Sequence, residues 1–138
     1  MGTIRLALVT REIEVPLMTR QTSKKKLLPR LRVTCGDEVA LGPGKADLLE
    51  LVAKTGSIRG AAESMDMSYM RAWKLIRTMN ACFREPLVNS ARGGSSRGGA
   101  QLTRTGKRAL QLYRGMEREA ALAMEANWRV LARMLRGK

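Results

Sequence analysis

The sequence predicts an α+β domain, and three observations carry that reading. Apolar positions recur at helical spacing from Leu48 to Phe83 and again from Leu110 to Leu135. Short β-type pieces flank the turn dipeptide Gly36-Asp37, and two more flank a Gly-rich stretch. The whole chain is 138 residues, room for one core and one additional helix. Aromatic residues are only 4% of the chain, so the core must be aliphatic and rich in Met and Ala.

Residues 1–30 lack sustained periodicity, and residues 20–30 (RQTSKKKLLPR) are polar and basic. They read as a basic, disordered N-terminal arm. Met18 leaves open an alternative start. Residues 31–35 and 39–41 read as two strands around Gly36-Asp37. Gly42-Pro43-Gly44 then breaks the chain. A helix follows whose apolar face is Leu48, Leu49, Leu51 and Val52, and Gly56 ends it. Ser57 caps a short helix over residues 58–65, with Ile58, Ala61, Ala62 and Met65 turned inward. Asp66-Met67 makes a tight turn, and Ser68 caps a third helix running to about Phe83.

At 100° per residue, Ala72, Ile76, Met79 and Phe83 of this third helix form one stripe. Met70, Lys74, Arg77 and Ala81 fall opposite. Arg71 and Thr78 flank one border, Tyr69 and Trp73 the other. Two helices, a short turn and a third helix with a basic outer face form a helix-turn-helix pattern. Lys74 and Arg77 alone would fit an ordinary solvated face. Tyr69 and Met70 beside them favour a surface that becomes covered. After Glu85-Pro86, residues 87–91 and 101–103 read as strands on either side of the loop RGGSSRGGA at residues 92–100. That is a hairpin, and in this position a wing. Arg92, Gly93, Gly94, Ser95, Ser96, Arg97, Gly98 and Gly99 are its expected contacts. The glycines permit close backbone approach to a phosphate, and the arginines supply charge.

Thr103 or Thr105 opens the last helix. Leu110, Tyr113, Met116, Ala120, Met124, Trp128, Leu131 and Leu135 recur along it at spacings of three or four. A helix of about 30 residues is roughly 45 Å long, more than so small a domain can cover. The stripe is therefore expected to pair with a second copy across a two-fold axis, as a dimer interface. The competing reading is an end that frays or wraps its own domain. The organisation expected is an arm at 1–30, a winged helix-turn-helix at 31–104 and a dimerisation helix at 105–138.

Charge narrows the function. There are 26 Lys and Arg against 12 Asp and Glu, a net charge of +14. Residues 33–65 are mildly acidic, and the positive charge lies before and after them. Such a balance points first to nucleic acid and second to an anionic surface. The chain has no histidine, which removes His-based acid/base catalysis and His metal ligands. Cys35 and Cys82 alone cannot complete a four-ligand zinc site, and a disulfide scaffold is not expected in a chain so poor in Cys. No apolar run approaches the roughly 20 residues of a membrane helix, and the N-terminus has no secretory pattern. The expectation is a cytoplasmic protein that is not an enzyme, with no cofactor, no metal and no membrane contact. Its partner is double-stranded DNA, read by Ser68, Tyr69, Met70, Arg71, Lys74, Arg77 and Thr78 of the third helix together with the wing. Ser57, Ser68 and Thr103 are the expected helix caps. The rival readings are a non-specific architectural DNA protein and a protein-interaction module that uses the long helix.

Several segments, taken together, resemble the N-terminal winged-helix domain of the molybdate-responsive transcription regulators. These are VALGPGK (39–45), GSIRGAA (56–62), MSYMRAW (67–73), MNACFREPLV (79–88), the Gly-rich wing and LTRTG (102–106). More distantly, the chain is similar to the DNA-binding half of LysR-type regulators. The resemblance spans about residues 30–115. It implies a homodimer with the third helix in the major groove, the wing alongside and the last helix joining the copies. It also implies regulation of genes for molybdenum or related metal metabolism. Full-length members carry a C-terminal pair of small β-barrel domains that bind molybdate. This chain stops at Lys138, straight after the long helix, so no oxyanion site is expected in it.

Overall fold

The fold is taken from a computed structural model that describes residues 24–90 and 99–137. The order is β1 (Val33–Cys35), β2 (Glu38–Leu41), α1 (Pro43–Thr55), α2 (Ile58–Ser64), α3 (Tyr69–Cys82), β3 (Val88–Ser90), β4 (Ala100–Leu102) and α4 (Arg104–Met134). This is the α+β winged helix-turn-helix with a long C-terminal helix. Residues 29–123 form one compact unit, and residues 124–137 fall outside it.

β1 and β2 pair antiparallel, Cys35 with Glu38 and Thr34 with Val39, with an irregularity between Val33 and Thr34. Gly36 takes the left-handed φ of 63° that a two-residue turn demands. β1 is shorter than the strand expected at 31–35, because Leu31 serves another element, described below. Pro43 begins α1, where its missing N–H costs nothing. Gly56 ends α1 at φ 77°, donating its N–H to Val52 O. Asp66, also left-handed at φ 59°, turns the chain from α2 into α3.

The core is one cluster. Leu48, Leu49 and Val52 of α1, Ala61 of α2, Ala72 and Met79 of α3, Leu87 before β3 and Tyr113 of α4 are completely buried. Ala61 and Ala62 remove bulk where α2 meets its neighbours, so the helices approach closely. Phe83 and Trp73 lie half-buried at its margin. Fully burying a residue of Leu or Met size contributes roughly 1.5–3 kcal/mol, and this aliphatic cluster does the work that aromatics do elsewhere.

α4 packs onto the core through its first half. Gly106 sits so close to Leu87 that a Cβ there would lie 2.1 Å from Leu87 O. Arg114 reaches α1, donating to Asp47 (2.7 Å) and Glu50 (3.0 Å), and also to Glu117 (3.0 Å) on its own helix. Burial alone would lower the guanidinium pKa. The hydrogen bonds to Glu50, Asp47 and Glu117 outweigh it and hold the pKa above its ordinary value. Tyr113 donates its hydroxyl to Leu31 O at 2.7 Å. The compact unit runs to Ala123.

This packing also corrects the expected interface stripe. Tyr113 is completely buried within its own domain and cannot face a second copy. Leu110 is half-buried against the same core. Met116, Leu131 and Leu135 remain exposed at 42%, 50% and 44%, while Ala120, Met124 and Trp128 are half-buried.

Candidate nucleic-acid interface

α3 presents its basic side to solvent because its other side is committed to the core. With Ala72, Ile76 and Met79 buried, the residues half a turn away are forced outward. Arg71, Lys74 and Arg77 are exposed, Met70 is 55% exposed and Tyr69 39%. Thr78, on the border, is half-buried. Ser68 begins the helix by accepting the Arg71 N–H on its hydroxyl at 3.1 Å. Ser57 does the same for Gly60 N–H at 2.8 Å, and Thr103 for Gly106 N–H at 2.9 Å. Each of these bonds satisfies an N–H of the first turn that has no partner within its helix.

The base of the hairpin is fastened to the far end of α3 through Asn80. β3 and β4 pair antiparallel, Val88 with Leu102, Asn89 with Gln101 and Ser90 with Ala100. Two anchors hold this hairpin. Ala100 N–H donates to Gly56 O at 2.8 Å, joining β4 to the corner between α1 and α2. Asn80 of α3 holds β3: its Oδ1 accepts from Leu87 N–H (2.8 Å) and Val88 N–H (3.2 Å), and its Nδ2 donates to Val88 O (3.1 Å). Thr103 closes the base, with its hydroxyl donating to Pro86 O at 2.7 Å and its N–H to Leu87 O at 2.9 Å. Of the expected wing contacts only Gly99 is described, exposed near Gly56 O. Arg92, Gly93, Gly94, Ser95, Ser96, Arg97 and Gly98 lie outside the described residues. So does most of the N-terminal arm.

Between α3 and β3 runs a groove of about 210 Å³ lined by Ile58, Trp73, Ile76, Arg77, Asn80, Val88 and Ser90. The Arg77 guanidinium lies over the Trp73 ring, 5.1 Å from its centroid. The Arg59 guanidinium of α2 lies over the Tyr69 ring at 5.0 Å. Sequence reasoning passed over Asn80 and Arg59, since both act on residues of a different element. An amide late in a helix that precedes a hairpin was the one available signal for Asn80. Arg59 carried none beyond its charge. Among the described residues no group of three metal-ligating side chains gathers, and no helix is long and apolar enough to cross a membrane.

A basic third helix set on a three-helix core beside a paired hairpin defines the class: a winged helix-turn-helix. Residues 45–107 match the family described as "Bacterial regulatory helix-turn-helix protein, lysR family", and the chain carries a helix-turn-helix domain of that type. It is similar to "Molybdenum transport protein ModE" of Azotobacter vinelandii, 38% identical over 100 residues, covering 72% of this chain and 37% of that one. It is also similar to "DNA-binding transcriptional dual regulator ModE" of Escherichia coli (strain K12), 44% identical over 71 residues, covering 51% of this chain and 27% of that one. The chain thus spans well under half the length of these curated relatives. The solved structure described as "Crystal structure of CbnR_DBD-DNA complex" aligns with 67% of this chain and 97% of its own at a TM-score of 0.48 and 22% identity.

Proposed function

We propose that the protein regulates transcription by binding specific double-stranded DNA as a homodimer, with targets among genes of molybdenum metabolism. The observation that carries the DNA reading is the outward face of α3. Met70, Arg71, Lys74 and Arg77 are exposed together, beside a hairpin that Asn80 fastens to the same helix. A helix so displayed can enter a major groove while the hairpin follows the backbone. Tyr69, Met70, Arg71 and Lys74 occupy the first turns, which reach base edges. Arg77 and the wing arginines Arg92 and Arg97 serve the phosphates. The molybdenum clause rests on the names of the relatives, and the homodimer on the exposed Met116, Leu131 and Leu135 of α4.

Selection of bound sites from random duplexes tests this reading. A single palindromic consensus with half-sites one helical turn or a multiple apart is the expected result. Binding without sequence preference would leave only an architectural DNA protein. On the selected site, log K should fall against log salt with a slope of magnitude above about 5, since each phosphate contact contributes roughly 0.9.

A further inference from the structure

Two aromatic rings of α3 each carry an arginine, one from α2 and one from α3 itself, at positions that follow one another along the helix. Tyr69 and Trp73 are neighbours at a spacing of four, and Arg77 follows Trp73 at the same spacing. Arg77 covers Trp73, and Arg59, arriving from α2, covers Tyr69. The series reads Arg59, Tyr69, Trp73, Arg77, and Trp73 and Arg77 line the groove beside β3.

We propose that Arg59 is a DNA-backbone contact, pre-set by Tyr69, so that Arg59 and Arg77 hold phosphates at the two ends of this series. The proposal rests on the DNA-binding reading above. Arg59 belongs to an exposed position of a helix whose inward residues, Ile58, Ala61 and Ala62, are buried. Its neighbourhood is tied to the wing, because Gly56, three residues earlier, accepts the Ala100 N–H. Its guanidinium lies over Tyr69 in the first turn of α3. Among the described residues no salt bridge uses its guanidinium, although Glu63 is four residues away on the same helix. Stacking on a ring occupies the flat face of a guanidinium and leaves its edge donors free for a bidentate grip on phosphate. It also restricts the side chain before binding, so less freedom is lost when the contact forms.

The test uses the full chain and a mixed-sequence duplex of roughly two turns, since a phosphate contact does not depend on sequence. Binding is measured across a salt series for the parent, Arg59→Ala, Arg59→Lys and Tyr69→Leu. Arg59→Ala should weaken binding roughly three- to tenfold at low salt and reduce the log–log slope by about 0.9 per bound protomer. Arg59→Lys should keep the slope. Tyr69→Leu should lose affinity with the slope unchanged, because the charge of Arg59 stays while its placement and the reach of Tyr69 to the bases are lost. Thermal melts of the two Arg59 variants should match the parent, as Arg59 is exposed. An Arg59→Ala protein with the parent slope overturns the proposal while leaving the DNA-binding reading intact. It would assign Arg59 to positioning Tyr69 if affinity fell, and to the solvated surface if it did not. A parent that binds no duplex at any salt overturns both.

Discussion

The side-chain amide of Asn80 pairs with the backbone of Val88 as a neighbouring strand would. Oδ1 accepts from Val88 N–H at 3.2 Å, and Nδ2 donates to Val88 O at 3.1 Å. The edge of β3 that faces α3 is thereby satisfied, and Leu87 N–H, on a completely buried residue, is satisfied by the same oxygen. Replacing Asn80 by Ala leaves these groups without partners in the fold. The expected loss is about 1–3 kcal/mol of stability, read from a urea denaturation midpoint. DNA binding should weaken in the same variant below its melting temperature, because the wing loses its tether to α3. An unchanged midpoint would show that water replaces the amide without cost.

Gly106 makes a prediction whose sign runs against helix propensity. In an exposed helix interior, Gly→Ala adds roughly 1 kcal/mol of stability. Here the added methyl would lie 2.1 Å from Leu87 O, a backbone atom that cannot swing aside. Gly106→Ala should destabilise by about 1–3 kcal/mol or more. Gly115→Ala on the same helix, whose nearest neighbour would be the Arg118 side chain at 3.7 Å, should be neutral or stabilising. Paired denaturation curves decide it: equal midpoints for the two variants would mean that α4 can slide off Leu87 freely.

Tyr113 gives the domain an alkaline limit. Burial, and then the charge of Glu117, push its pKa above the ordinary tyrosine value of 10.0. The folded state therefore keeps a proton that the unfolded chain releases first. That contribution is whole below about pH 10 and is lost as pH rises through the raised folded value. Tyr113→Phe should cost about 0.5–1.5 kcal/mol at neutral pH through the lost bond to Leu31. Its denaturation midpoint should then fall less steeply than the parent's between about pH 9 and about pH 11. Parallel profiles would mean that this phenol titrates alike in both states.

The far half of α4 is the site of the proposed pairing. A chain ended at Ala123 keeps Tyr113, Arg114 and Gly106, and so should keep its melting transition. It loses Leu131 and Leu135, exposed at 50% and 44%, and should sediment as a monomer where the full chain sediments as a dimer. A full-length monomer at micromolar concentration would remove the reason for a palindromic target.

What the sequence made legible was what acts locally. The hydroxyls of Ser57 and Ser68 bond three residues ahead, and the stripe Ala72, Ile76, Met79 repeats within one helix. Such signals need no knowledge of what lies across the core. The same periodicity misassigned Tyr113. Spacing on α4 shows that it belongs to an apolar face, but not whether that face meets its own domain or a second copy. The answer lay in Leu31, 82 residues earlier, whose carbonyl takes its hydroxyl. Asn80 and Arg59 escaped notice for the related reason that polar residues on a helix surface look alike until the facing element is known. Ala91 to Gly98, where most of the expected wing contacts fall, lies outside the described residues.

The bond between Tyr113 and Leu31 also sets an order of events in time. α1, α2 and α3 follow one another with turns of a few residues, so their contacts close early and locally. Joining Leu31 to Tyr113 closes a loop of 82 residues, and the entropy of that closure is recovered only once the helices are in place. The strap formed by Leu31 should therefore be absent from the folding transition state. Tyr113→Phe would then accelerate unfolding and leave the folding rate almost untouched, a φ-value near zero in a chevron measurement. A value near one would place the N-terminal strap in the nucleus, and the three helices would then assemble around it.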